Sequence, residues 1–264
     1  MKDAVWWTSR NRNSAGAWLG ALLFLLAAPG YAATPPPQKA KPPGRPSLYG
    51  QVAIELLKTP EEKLNIGEAA LRLSTLIMTG ERYDKELAQL NEIAAQVANA
   101  MELKGGDDPE SRIQTLASVL NRLGYRYSGD DPDGRNSESS LLLSVLRTKK
   151  GNCVGLPTLW YAVAERLGFP IHAVVAPHHI FLRYDDGTFR MNIETISYSN
   201  PTDERIISDL EVPAGAIKSG AMMRSLSKRE FLAVLITNVA AYLGLTYPAD
   251  PGSMMELAKV CGDN

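Results

Sequence analysis

The chain has 264 residues, 45% of them apolar and 22% charged, and its 28 Lys and Arg against 29 Asp and Glu leave a formal net charge of −1. That length suffices for one good-sized core or two small ones, and the composition excludes the disordered and fibrous classes. A charge so close to zero argues against a nucleic-acid partner, which needs a clear basic excess or patch, and the short pair Lys149-Lys150 reads as a solvated helix end.

The N-terminus carries the order of a secretory signal. Lys2, Arg10 and Arg12 make a positive start, an apolar run follows from Ala15 to Ala28, and Pro29-Gly30 breaks it before Tyr31-Ala32-Ala33. Cleavage after Ala32 would put Gly30 and Ala32 at the two small positions, so residues 1–32 are expected to be removed. The run falls short of the about 20 apolar residues that span a bilayer, so no integral membrane span is expected after cleavage. An uncleaved amphipathic anchor is the alternative. No cysteine lies near the cleavage point to carry a lipid, and Asn11 interrupts the arginine pair of a twin-arginine signal. The expected location is periplasmic or secreted. Residues 33–47, which include Thr34-Pro-Pro-Pro and Pro42-Pro-Gly-Arg-Pro46, are too rich in proline for helix or sheet and read as an extended tether.

From Leu48 to about Ala100 apolar residues recur three and four apart, as in Val52-Ala53-Leu56-Leu57 and Ala69-Leu71-Leu73-Leu76-Ile77. Thr59-Pro60-Glu61-Glu62 reads as a helix start, with Thr as cap, Pro in the first turn and acids at the positive end. Further helices are predicted over Asp84–Met101, ended by Gly105-Gly106, and over Pro109–Leu123, closed by Gly124. Tyr125 to Arg135 is rich in Gly, Asp and Pro and reads as a loop, and Ser137 to Arg147 is helical again. Gly151-Asn152 breaks the chain, and Cys153 opens a helix that runs to about Arg166.

There the period changes. Ile171–Ala176, Ile180–Tyr184 and Phe189–Ile193 are β-type runs, and Asp185-Asp186-Gly187 between the last two is a hairpin signal. A polar stretch follows, then an amphipathic helix over Ser227–Leu243 and a short helical tail after Pro251. Helices followed by a small antiparallel sheet define an α+β domain.

Cys153 at a helix N-terminus is placed where unpaired amides and the positive dipole end stabilise a thiolate, and the same amides form a ready-made oxyanion hole. A buried structural cysteine is the bland alternative. A thiolate needs a base, and the chain offers only His172, His178 and His179. His178 and His179 occupy a strand start after Pro177, so alternation lets only one of them face the cysteine. A third group must orient the imidazole, and across the hairpin Asn192 and Glu194 share one face of the returning strand. Two cysteines in an exported chain equally suggest one disulfide, Cys153–Cys261. Three histidines without Cys-x-x-Cys spacing do not make a zinc site, and no phosphate loop or dinucleotide fingerprint occurs, so no metal or cofactor is expected.

Lys149-Lys-Gly-Asn-Cys-Val-Gly-Leu156, Ala162-Val-Ala-Glu-Arg-Leu-Gly-Phe-Pro170, Pro177-His-His-Ile-Phe-Leu-Arg183 and Asn192-Ile-Glu-Thr195 carry a resemblance. In order and spacing they are similar to the transglutaminase-like superfamily, in its compact bacterial branch with a helical N-terminal part. The resemblance covers about Leu64 to Thr195. It implies residues 48–112 as the N-terminal helical part, 113–215 as a papain-like core and 216–264 as C-terminal helices. It selects His179 over His178, with Arg183 at the family's arginine position, and makes Glu194 the equivalent of the usual triad aspartate. By the same resemblance Cys153 attacks an amide or acyl carbonyl, His179 takes and returns the proton, Glu194 holds the imidazolium and the Cys153 amide supports the oxyanion. Asn152 and Asn192 are second-shell or oxyanion candidates, with turn and strand-end roles as their bland readings. The segment Ile196-Ser-Tyr-Ser-Asn-Pro201 lacks a glycine that the family leads one to expect. The activity implied is peptide or amide hydrolysis, or acyl transfer, on a protein or envelope substrate. A non-catalytic binding module on the same fold is the alternative.

Overall fold

The computed structural model describes residues 48–129 and 137–243. The signal, the proline-rich tether, the tail after Pro251 and Cys261 lie outside the described residues. Helices α1 (Leu48–Lys58), α2 (Ile66–Thr75), α3 (Asp84–Lys104) and α4 (Pro109–Arg122) come first, then α5 (Leu142–Thr148) and α6 (Gly155–Arg166). Two-residue strands β1 (Arg126–Tyr127) and β2 (Lys150–Gly151) pair in parallel. Strands β3 (Ile171–Ala176), β4 (His179–Asp185) and β5 (Arg190–Ile193) form an antiparallel sheet in that order. Helices α7 (Asp203–Asp209), α8 (Ala214–Lys218) and α9 (Lys228–Tyr242) complete the described chain.

The α+β class is observed, with the helices around one core. Helix α6 is its axis: every residue from Gly155 to Ala164 is buried. Alternation along β4 divides the sheet's two faces. Ile180, Leu182 and Tyr184 join α6 in the main core, while Phe181 joins Val174, Ala176, Ile206, Val212 and Met223 in a smaller one. Helix α9 closes the assembly onto the first helices. Tyr49 Oη donates to the Ile236 carbonyl at 2.8 Å, the Arg229 guanidinium donates to the carbonyls of Leu57 and Thr59, and the Lys228 amide donates to Glu61 Oε1 at 3.0 Å. Among the described residues no helix is long and apolar enough to cross a membrane.

Several local expectations change, each for a physical reason. Thr59-Pro60 starts only one 3-10 turn, Glu61–Lys63, because Leu64 returns to extended backbone (φ −73°, ψ 118°). The helix proper begins after Asn65, whose side chain accepts the Glu68 amide at 2.8 Å. The helix expected from Ser137 is a 3-10 turn, Ser137–Ser140, interrupted by extended Leu141 before α5. The expected loop after Tyr125 opens with β1, and the polar stretch after Thr195 holds α7, started by the Thr202 cap, and α8.

Gly155, the first residue of α6, is fixed by a close backbone approach. A Cβ there would stand 2.2 Å from the Ser139 carbonyl oxygen and 2.7 Å from Val145 Cγ2. A carbonyl in the 3-10 turn cannot swing aside as a side-chain tip can, so Gly155→Ala is expected to cost about 2–3 kcal/mol, the upper part of the overpacking range. Urea denaturation checks this.

Candidate active site

Asn152 shapes the turn that presents Cys153. Its Oδ1 accepts the amides of Val154 (2.9 Å) and Gly155 (3.1 Å), and its carbonyl accepts the Leu156 amide. Helical geometry therefore begins two residues after Cys153, so the cysteine sits just ahead of α6 instead of opening it. Of the amides expected to point at the sulfur, those of Val154 and Gly155 are already taken by Asn152. The Cys153 amide donates to no group among the described residues. Cys153 is a half-buried free thiol.

The histidines separate by backbone conformation. His178 is not in a strand: with φ 56° it takes the second central position of a two-residue turn after Pro177, and its ring is exposed. Strand β4 starts at His179, which is 8% exposed. The Cys153 thiol donates to the His178 carbonyl at 3.9 Å, and its side chain acts electrostatically on the neighbouring His179 ring. His172 is half-buried and pairs with Arg183 in the ladder.

His179 Nε2 meets Glu194 Oε2 at 2.5 Å, which leaves Nδ1 as the nitrogen not held by the carboxylate. The register explains why this position holds a glutamate. The ladder ends with Leu182 opposite Ile193, so Glu194, one step past it, leaves the sheet level with Phe181 and reaches His179 as a diagonal neighbour would. A diagonal neighbour is some 7–8 Å away at the backbone, which suits the longer acid. The other carboxylate oxygen, Oε1, accepts the Ile196 amide at 3.0 Å. Glu194 and Ser199 exchange both backbone hydrogen bonds, at 2.8 and 3.2 Å, and close a small loop.

Burial alone would push the His179 imidazolium down. Its interactions with Cys153 and Glu194, the latter a hydrogen bond at 2.5 Å, outweigh burial and push it up to about 10. The folded value lies above the ordinary 6.5, so the stability contributed by the protonated ring is full below about pH 6.5. It is lost as pH rises toward about 10. Urea midpoints are therefore expected to fall from neutral to alkaline pH, and this slope is expected to flatten in His179→Gln.

Asn192 is committed elsewhere. Its Oδ1 accepts from Arg183 Nε at 2.8 Å, and its Nδ2 donates to the Pro201 carbonyl (3.1 Å) and to Asp203 Oδ1 (2.7 Å). Arg183, fully buried, also donates to the Met223 carbonyl (2.9 Å) and to Asp203 Oδ1 (2.6 Å). This cluster braces β4 and β5 against α7, next to the triad but without touching the thiol. Trp160 and Tyr161 are buried core residues. Tyr198, which no motif in the sequence singles out, packs its ring on Trp160. The glycine missing from that segment is its one trace in the sequence.

The fold thus brings to one place a thiol just ahead of α6, an imidazole at the start of β4 and a carboxylate one residue past β5. The model of the transglutaminase-like superfamily matches residues 84–235, from the start of α3 into α9, and the chain belongs to that family. A solved structure described as a TGase is 13% identical, with a TM-score of 0.38, and the match covers 52% of this chain and 40% of that one. The chain thus spans well under half the length of that structure. No curated protein matches the chain.

Proposed function

We propose that the protein is an exported cysteine-dependent enzyme that cleaves or transfers acyl groups from amide bonds of a protein or envelope substrate. The observation that carries this reading is the 2.5 Å contact between His179 Nε2 and Glu194 Oε2, with the free thiol of Cys153 held on the adjacent His178 carbonyl just ahead of a helix N-terminus. The ring enters the reaction as an imidazolium and the sulfur as a thiolate. Sulfur attacks the carbonyl carbon, and the C=O electron pair moves onto oxygen, which the Cys153 amide receives. As the intermediate collapses, His179 passes its proton to the leaving amine and the C–N bond breaks, leaving a thioester. Water or a second amine, deprotonated by His179, then expels the thiolate. Water gives hydrolysis, and an amine gives transfer. The membrane-directed order of residues 1–32 supports export.

The test is iodoacetamide alkylation of the purified mature protein without reductant, between about pH 5 and 9, with Cys153→Ala as control. Fast alkylation of Cys153 below about pH 7 is the expected result. A Cys153 that reacts no faster than a free cysteine, or that is found joined to Cys261, would return the protein to the binding-module reading.

A further inference from the structure

The segment after Glu194 places a tyrosine where the backbone favours glycine. Tyr198 has φ 55°, the left-handed region that a residue with a Cβ enters at a cost. Its side chain accounts for the choice. Tyr198 Oη donates to the Tyr125 carbonyl at 2.6 Å, and the ring packs edge-on against Trp160 of α6, with centroids 5.4 Å apart. Burial pushes the Tyr198 hydroxyl up to about 12, so it stays a donor throughout the working pH range.

Both anchors lead to the nucleophile. Tyr125 is buried and immediately precedes β1, which pairs with β2, and β2 runs into Asn152-Cys153. Trp160 lies two turns along the helix that Cys153 precedes. On the other side, Tyr198 sits inside the loop closed by Glu194 and Ser199, the loop whose Ile196 amide holds Glu194 Oε1. The β4–β5 ladder ends at Ile193, so beyond it the carboxylate's place depends on this loop.

We infer that Tyr198 is a positioning residue that fastens the Glu194 loop to the cysteine helix and to the β1–β2 pair, and so holds the carboxylate on His179. The inference rests on the Cys153–His179–Glu194 reading above. It separates from a purely local turn role in one respect. If Tyr198 only filled the turn, glycine would relieve the backbone, stabilise the fold and leave His179 untouched.

The experiment follows the His179 ring by NMR of histidine-labelled protein, using His172→Gln and His178→Gln to assign the signals. It compares wild type, Tyr198→Phe, Tyr198→Gly and Glu194→Gln, and records a thermal melt of each. Tyr198→Phe keeps the ring and removes one hydrogen bond, so it guards against a glycine variant that fails to fold. In wild type a midpoint well above 6.5 is expected, falling by at least about one pH unit in Glu194→Gln. Tyr198→Gly is expected to fall nearly as far, and Tyr198→Phe part of the way, with its melt close to wild type. If wild type titrates near 6.5, the triad reading itself fails. If wild type is raised and Glu194→Gln lowers it, while both folded Tyr198 variants titrate as wild type, the triad stands and Tyr198 is not its fastener.

Discussion

Glu194→Gln is expected to slow alkylation of Cys153 at neutral pH by roughly 10- to 1,000-fold, the range that follows from losing one close opposite charge. On an amide substrate the loss should be on the order of 10⁴-fold, as when a triad carboxylate becomes an amide. The reason lies in the second oxygen. Glu194 Oε1 is tied to the Ile196 amide, so a glutamine keeps its carbonyl there and turns its NH₂ toward His179 Nε2. Nε2 must then accept, which forces the ring proton onto Nδ1, the nitrogen not held by Glu194. The ring can no longer take the sulfur's proton. Glu194→Asp retains the charge but lacks the methylene that the diagonal register demands, and should recover only part of the rate. Alkylation rates for the two variants, measured side by side, check both statements.

The largest expected loss of stability belongs to Arg183→Ala, at about 3–5 kcal/mol. Arg183 is 0% exposed, and its three nitrogens satisfy Asn192 Oδ1, the Met223 carbonyl and Asp203 Oδ1 at once. Truncation opens a cavity beneath α7 and strands acceptors that water cannot reach freely. Arg183→Lys should restore little, since one ammonium cannot reproduce a planar fork spanning three acceptors. Asp203→Asn keeps an acceptor oxygen but leaves the buried guanidinium without its carboxylate, so it too should be costly, at about 3 kcal/mol. Urea titration of the three variants gives the comparison.

What could be read from the chain beforehand follows from the range of the forces involved. Helices with a strong apolar period, such as Asp84–Lys104 and Pro109–Arg122, and the hairpin at Asp185-Asp186-Gly187 depend on neighbours in sequence, and the residues announce them. Local pattern narrows the candidates to Cys153, to His178 or His179 and to Asn192 or Glu194, and the resemblance to the family's stretches selects His179 and Glu194 among them. Asn65 outcompeting Thr59 as a cap depends on where the chain bends, which α9 influences through the bond from Lys228 to Glu61. His178 in a turn, Asn152 consuming two amides and Asn192 serving Arg183 are decisions among competing hydrogen bonds, and composition does not rank them. The positive φ of Tyr198 runs against propensity and is legible only once Tyr125 and Trp160 stand beside it.

The clasp of α9 onto α1 has a kinetic consequence. His179 and Glu194 are separated by 15 positions, so the hairpin that unites them closes a short loop at small entropic cost. Tyr49 and Ile236 are 187 positions apart, and Arg229 reaches back 172 to Leu57. During synthesis residues 153–194 are complete while α9 is still unmade, and until then α1 lacks its packing partner in α9. The hairpin carrying His179 and Glu194 is therefore expected to form early and the seating of the first helix under the ninth late, which pulsed hydrogen exchange during refolding checks.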